Sequence, residues 1–183
     1  SRWLAKLLLS GLLKGSFIPP LPIRQLRDLT RYRKKTVQSI SSEKSRLQKI
    51  LEDANIKLSS VVSNVFGKTA DALIKGLLND EDIDKLINEN YHGKLKASKE
   101  DIKKALTGRL TTHHKFIIQE IYAHMAYLDE QIAKFENKLD ELLEEHQGEI
   151  ELLTTIPGIN KNAATGIVAE IGTDMEVFPS EHH

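Results

Sequence analysis

The sequence is constrained most by two long rows of apolar residues at the spacing of a heptad repeat. Alternating steps of three and four give a first row of Ile23, Leu26, Thr30, Arg33, Val37, Ile40, Lys44, Leu47, Leu51, Ala54 and Leu58. A second row consists of His114, Ile118, Ile121, Met125, Leu128, Ile132, Phe135, Leu139, Leu142 and His146. A helix with such a stripe is stable in water only when the stripe is buried. The sequence therefore predicts two helices paired in an antiparallel coiled coil, within one chain or across a dimer.

The predicted fold is all-α and has five parts. They are an N-terminal helix with a Pro-rich linker (1–22), the first coiled-coil helix (23–58), an inserted helical unit (59–111), the second coiled-coil helix (112–147) and the start of a C-terminal domain (148–183). The first helix is expected to end at Gly15, and Pro19, Pro20 and Pro22 predict an extended linker after it.

Two capping patterns divide the inserted unit. Asn79 is predicted to cap a helix over residues 80–90 that Gly93 ends. Ser98 followed by Asp101 has the spacing of a capping box and predicts another helix toward Leu110.

The charge is divided unevenly along a chain whose net charge is zero. Residues 1–49 carry 12 Lys and Arg against 2 Asp and Glu, whereas Asp129–Glu151 holds nine acids and two lysines. Such asymmetry favours contact of the basic end with a polyanion. The alternative is that the two halves pack together and neutralise each other.

A basic run on the first long helix is the main candidate for binding nucleic acid. Its members are Arg24, Arg27, Arg31, Arg33, Lys34 and Lys35. At helical spacing most of them form a ladder that can contact successive phosphates, and all except Arg33 are expected to face solvent.

A second candidate is the turn around Pro157, whose pattern is that of a helix-hairpin-helix. Its residues Gly158, Asn160, Lys161 and Asn162 would offer backbone N–H groups and a helix N-terminus to phosphates. A purely structural turn between two packed helices is the alternative reading.

Other chemistries find little support. Gly67, Lys68 and Thr69 resemble the end of a phosphate loop, but Val62 stands where that loop needs glycine. Glu120 and His124 lie one helical turn apart and are interpreted as a polar surface pair rather than a metal site. The chain has no Cys, which excludes disulfides and thiolate zinc sites, and no apolar stretch long enough to span a bilayer. We therefore predict no catalytic residue, no metal and no membrane.

Three segments together resemble one family of insertion-sequence transposases. They begin at Trp3-Leu4-Ala5-Lys6, at Val65-Phe66-Gly67 and at Thr155-Ile156-Pro157-Gly158-Ile159. The family joins an N-terminal RuvC-like DEDD nuclease domain, through a coiled coil, to a C-terminal serine transposase domain, and a bridge RNA guides it.

The resemblance implies that this chain is the central fragment of such a recombinase. Catalytic acids, magnesium and the nucleophilic serine would belong to the rest of the enzyme, and Ser180 is not matched to that serine. The fragment is expected to form a homodimer through the coiled coil and to bind DNA or guide RNA in the cytoplasm of a prokaryote, associated with the nucleoid. Two other functions remain open: a coiled-coil adaptor for a basic protein, and an independent helix-hairpin-helix subunit of a repair nuclease.

Overall fold

Every regular element in the described part of the chain is helical, as predicted. The computed structural model describes residues 2–13, 18–93, 95–178 and 180. The α-helices are α1 (Arg2–Leu9), α2 (Leu21–Asp53), α3 (Lys68–Leu78), α4 (Ile83–Asn90), α5 (Lys99–Leu106), α6 (Thr112–Leu142), α7 (Gln147–Thr154) and α8 (Lys161–Ile171). Short 3-10 turns lie at Leu58–Ser60, Glu144–His146 and Met175–Val177.

The chain divides into two compact units. Unit 1 consists of Ser1–Lys34 and Lys134–His183, and unit 2 of Lys35–Ala133. The two long helices, α2 and α6, each contribute residues to both units.

Unit 2 is built on antiparallel parts of α2 and α6. Glu43 contacts His124 and Asp53 contacts His114. The residue numbers rise along α2 while those of its partners on α6 fall, so the two helices run in opposite directions. α3, α4 and α5 close a core around them whose fully buried members include Leu47, Leu58, Leu73, Ile74, Ile102, Leu106 and Ile118. Burying a side chain of this size contributes about 1.5 to 3 kcal/mol, which is what holds these short helices in place.

The connection from α2 to this core needs two special backbone positions. Asn55 takes a φ of +58°, which ends α2 at Asp53, earlier than the predicted helix that ran to Leu58. The chain then approaches Gly108 so closely that a Cβ there would lie 2.3 Å from the Ala54 carbonyl oxygen. Glycine is therefore required at 108 for the segment to close against the end of α5.

Helix caps in unit 2 agree only in part with the sequence. The capping box of Ser98 and Asp101 is confirmed, with both reciprocal hydrogen bonds present at the start of α5. Asn79, however, ends α3, and Asp82 caps α4 by accepting a hydrogen bond from the Lys85 backbone N–H. The intervening Asp80 has a φ of +56°, so a turn replaces the first turn of the predicted helix.

Unit 1 has a smaller core in which α7 and α8 pack on each other and on the ends of α2 and α6. Its buried members are Leu26, Leu139, Leu143, Ile150, Ala164, Val168 and Ala169. The antiparallel arrangement of α2 and α6 recurs within this unit, since Tyr32 contacts Phe135 with ring centroids 5.0 Å apart and Arg33 pairs with Glu136.

The apolar rows lie mostly on the less exposed sides of their helices. All ten positions of the second row are buried or half-buried. In the first row, Val37 is exposed and the neighbouring Thr36 is buried, and Glu43 is more buried than Lys44. The predicted register is therefore displaced by one residue at these two points.

The N-terminal part departs from the prediction in two details, the end of α1 and the start of α2. α1 ends at Leu9, and none of its residues is buried. The expected stop at Gly15 lies outside the described residues. α2 already begins at Leu21, so Pro22 occupies a first helical turn, where its missing N–H removes no hydrogen bond.

None of the helices in the described ranges combines the length and the apolar content that crossing a membrane requires.

Two glycines in helices of equal length provide a test of this packing. A Cβ at Gly76 would lie 2.1 Å from Leu86 Cδ2, whereas a Cβ at Gly166 would meet nothing within 4 Å. Gly76→Ala should lower the free energy of unfolding by about 1 to 3 kcal/mol through overpacking. Gly166→Ala should leave it unchanged or raise it by up to about 1 kcal/mol, because alanine favours helix. Urea unfolding of both variants measures the difference, and equal effects would contradict the packing of α3 on α4.

Candidate nucleic-acid interface

The basic run lies on the first turns of α2, and its members have different surroundings. Arg24, Arg31, Lys34 and Lys35 are exposed. Arg27 and Arg33 are not: their side chains are 22% and 20% exposed. Arg27 was expected to face solvent, and it is half-buried because it reaches α8.

Arg27 caps the C-terminal end of α8. Its Nε donates to the Ala169 carbonyl oxygen at 3.2 Å, and its Nη2 donates to the Glu170 carbonyl oxygen at 2.6 Å. The last carbonyls of a helix lack partners within the helix and carry the negative end of its dipole. An arginine at this position therefore satisfies two acceptors and joins α2 to α8.

Arg31 forms a two-pronged ion pair with the Glu170 side chain. Its Nε and Nη2 donate to the two carboxylate oxygens at 2.8 and 2.9 Å. Hydrogen bonding from Arg31, together with the positive charges of Arg31, Arg27 and Lys34, holds the pKa of the Glu170 carboxyl below its usual value. Glu170 thus stays ionised and keeps part of the basic run neutralised.

The alternative of internal neutralisation therefore applies to half of the basic run. Arg27 and Arg31 are paired with Glu170, and Arg33 is paired with Glu136. Arg24, Lys34 and Lys35 have no ion pair with any residue in the described part of the chain. Arg31 remains 63% exposed even though it is paired.

The turn before α8 has the local geometry of a tight connection between two packed helices. Gly158 has a φ of +91°, and nothing lies within 4 Å of a Cβ placed there. Asn160 caps α8 by accepting a hydrogen bond from the Ala163 backbone N–H at 3.0 Å. Among the described residues, the backbone N–H groups of Lys161 and Asn162 have no acceptor, and such groups at a helix start favour anions.

Lys161 forms an exposed ion pair within unit 1. Its ammonium donates to an Asp140 carboxylate oxygen at 2.7 Å, and both side chains are 57% exposed. A pair this exposed contributes little to stability and can exchange for a phosphate.

The two groups of candidate residues lie at opposite ends of α8. The basic run contacts Ala169 and Glu170, whereas Lys161 begins the helix. Nine residues separate Lys161 from Glu170, which corresponds to about 13 Å along the axis. Apart from Lys35, which belongs to unit 2, both groups lie in unit 1, and they do not form one pocket.

His124, which the sequence analysis paired with Glu120, contacts Glu43 of α2. The His124 ring contacts Glu43 at 3.0 Å, and Glu43, which is 4% exposed, also binds Arg46. A buried carboxylate needs such partners. Within the ranges that the structure describes, no three side chains of His, Asp or Glu come together as a metal site would require.

Sequence reasoning missed the acidic partners of the basic run. Glu170 and Glu136 lie more than a hundred residues away from the arginines along the chain, so only the tertiary arrangement reveals them. A possible signal was the position of Glu170 in the last turn of a helix, where an acid is unfavourable unless a cation faces it.

Comparison with models of protein families, with curated proteins and with solved structures finds no significant match to this chain.

The pairing of Glu170 gives a pH-dependent prediction. Because the pKa of Glu170 is depressed in the folded state, its contribution to stability is full above the usual carboxylate range and is lost as the pH falls through the depressed value. Glu170→Gln should therefore lower the free energy of unfolding by at most about 1 kcal/mol near neutral pH, since the side chain is half exposed.

Urea unfolding of both proteins at neutral pH and at about pH 3 checks this prediction. The difference between wild type and variant should be smaller at the acidic pH, because protonation of Glu170 removes the charge that pairs with Arg31. A difference that is equal at both values would mean that the Glu170 charge does not stabilise unit 1.

Proposed function

We propose that this chain binds nucleic acid through the basic face of α2 in unit 1 and serves DNA transposition as a non-catalytic part of a transposase. The observation that carries this proposal is that Arg24 and Lys34 stay exposed, with no ion pair to a described residue, although acids of the same unit neutralise their neighbours Arg27, Arg31 and Arg33. The transposase class rests on the three segments of similar sequence described above.

The local charge balance supports a polyanionic partner. Arg27, Arg31 and Lys34 act on Glu170, and Asp28 acts on Arg31, so three cations stand against two acids and an excess of positive charge remains on this side of α2. Cations held on one helix by carbonyls and carboxylates are ordered before a ligand arrives, which reduces the entropy cost of binding. Such a surface recognises the phosphate backbone and not the base sequence.

The turn before α8 supplies a second set of phosphate contacts in this proposal. The N–H groups of Lys161 and Asn162 and the Lys161 ammonium form this set, with Gly158 allowing close approach of the backbone. A nucleic-acid strand advances 3.4 Å per nucleotide, so the distance of about 13 Å along α8 corresponds to about four nucleotides. One strand of DNA or of guide RNA can therefore contact both sets.

The paired parts of α2 and α6 serve as the support for these contacts. We propose coiled-coil packing for the pair in each unit, because Leu47, Ile118 and Leu139 are buried at the predicted seam. Since that seam is filled within one chain, a homodimer needs another apolar surface. α1 offers one, with Trp3, Leu4 and Leu8 at least half exposed.

Charge reversal on α2 tests nucleic-acid binding. The variant Arg24→Glu/Lys34→Glu/Lys35→Glu leaves Arg27 and Arg31 in place, so that the contacts to α8 are kept. Wild type should bind a labelled DNA duplex and an RNA strand, and three phosphate contacts predict that affinity falls roughly 40-fold between about 50 and 200 mM salt. The variant should lose measurable binding in fluorescence anisotropy.

A control with the same change in net charge is Lys68→Glu/Lys85→Glu/Lys134→Glu, which reverses exposed lysines elsewhere. It should bind as wild type does. Equal loss of nucleic-acid binding in both variants would mean that net charge, and not the position of the cations on α2, determines binding. Absence of wild-type binding at low salt would reject the proposal and favour a coiled-coil adaptor for a basic protein.

Light scattering tests the dimer. Wild type should have twice the chain mass of 20.7 kDa, and Trp3→Glu/Leu8→Glu should be monomeric, because charges on α1 oppose its burial. Lys6→Gln is the matched change on the polar side of α1 and should remain dimeric. A monomeric wild type would contradict the dimer but leave nucleic-acid binding unaffected.

A further inference from the structure

Unit 2 contains an open cleft, with a volume of about 780 Å³, that the proposed interface does not use. It lies between the segment after α2 and the start and outer face of α5. Three cations and three hydroxyls line it: Lys57, Lys96 and Lys104, and Ser59, Ser60 and Ser63.

The lysines of the cleft differ from many others in the same unit. Lys75, Lys85, Lys103 and Lys115 each pair with a carboxylate. Lys57, Lys96 and Lys104 have no ion pair with any of the described residues. Adjacent lysines on α5 show the contrast directly, since Lys103 pairs with Asp84 and Lys104 faces the cleft unpaired.

Asp101 is the carboxylate among the described residues of the cleft wall, and it is hydrogen-bonded within α5 and its cap. Asp101 accepts hydrogen bonds from the Ser98 backbone N–H and hydroxyl at 3.3 and 2.7 Å, as part of the capping box of α5. It remains charged and acts on Lys104, so the described wall of the cleft carries three lysines against one carboxylate. The cleft keeps an excess of positive charge.

The walls of the cleft are fixed by the core. The Lys57 backbone N–H donates to the Ala105 carbonyl oxygen at 2.9 Å, which joins the segment after α2 to α5. Val62 and Ala105, buried at 8% and 7% exposure, lie beneath the polar groups. The Ser60 hydroxyl already donates to the Lys57 carbonyl oxygen at 2.7 Å, so the three lysines and the hydroxyls of Ser59 and Ser63 are the donors that this backbone holds for an anion.

We propose that this cleft is a further phosphate-binding site, which contacts the phosphodiester backbone of a nucleic-acid strand. Ammonium and hydroxyl groups are donors that proteins use for phosphate oxygens. None of the described residues that line the cleft is aromatic, so base stacking is not part of the contact and binding should be independent of sequence. This inference extends the proposed function and rests on it.

The test compares two lysine variants in the full chain. Lys57→Ala/Lys104→Ala should weaken binding of a labelled single-stranded oligonucleotide roughly tenfold. It should also lower the slope of log affinity against log salt by about 0.7 for each lysine removed. Lys68→Ala/Lys85→Ala changes the charge equally outside the cleft and should bind as wild type does.

A phosphate titration distinguishes the possible outcomes. Inorganic tripolyphosphate probes the cleft without nucleic acid. Its binding is followed in NMR spectra by the backbone amide signals of Ser59, Ser60 and Ser63. Shifts at these amides together with weakened oligonucleotide binding support the proposal. If Lys57→Ala/Lys104→Ala binds the oligonucleotide as tightly as wild type does, the cleft proposal is overturned. The proposed interface on α2 is unaffected by that result. If wild type binds no oligonucleotide, both the cleft proposal and the proposed interface on α2 are overturned. Amide shifts with tripolyphosphate would in that case identify a site for free phosphates.

Discussion

The structure depends on burial of one side of each of two long helices, α2 and α6. Most of their remaining surface is polar, so neither is stable alone in water. Within unit 2, burial of Leu47 and Ile118 gives α3, α4 and α5 a surface on which to pack. Within unit 1, Leu26 and Leu139 do the same for α7 and α8. Each short helix buries too few apolar side chains to fold by itself, and each is therefore ordered by the long helix beneath it.

The basic residues of α2 divide between structure and binding. Arg27 and Arg31 fix the end of α8, because its last carbonyls and Glu170 need a cation, and Arg33 holds Glu136. Arg24, Lys34 and Lys35 form no ion pair with a described residue, and they give the surface its positive charge. An interface of this kind combines an ordered scaffold with exposed cations, as phosphate recognition without sequence readout requires. The lysines of the unit 2 cleft follow the same division, since their neighbour Lys103 is paired and they are not.

Local patterns predicted local structure well and failed where two local signals competed. The capping box of Ser98 and Asp101 was correct because both partners lie within four residues. Asn79 was assigned to the wrong helix end because Asp82, three residues later, is an equally good cap and Asp80 can adopt a positive φ. The first apolar row was displaced at Thr36 and at Glu43. At Glu43 the partner is His124 on the facing helix, which the spacing on α2 does not reveal. For the candidate site, the basic residues were found, but their acidic partners were not.

The sequence by itself determined the helical class, the two long helices and the concentration of positive charge near the start of α2. These follow from periodicity and composition, which act over a few turns of one helix. Only the tertiary structure decided which cations are neutralised and which remain exposed, and that three lysines from separate segments surround one cleft. Pairing energies depend on distances between residues far apart in the chain, and those distances exist only once the cores have formed.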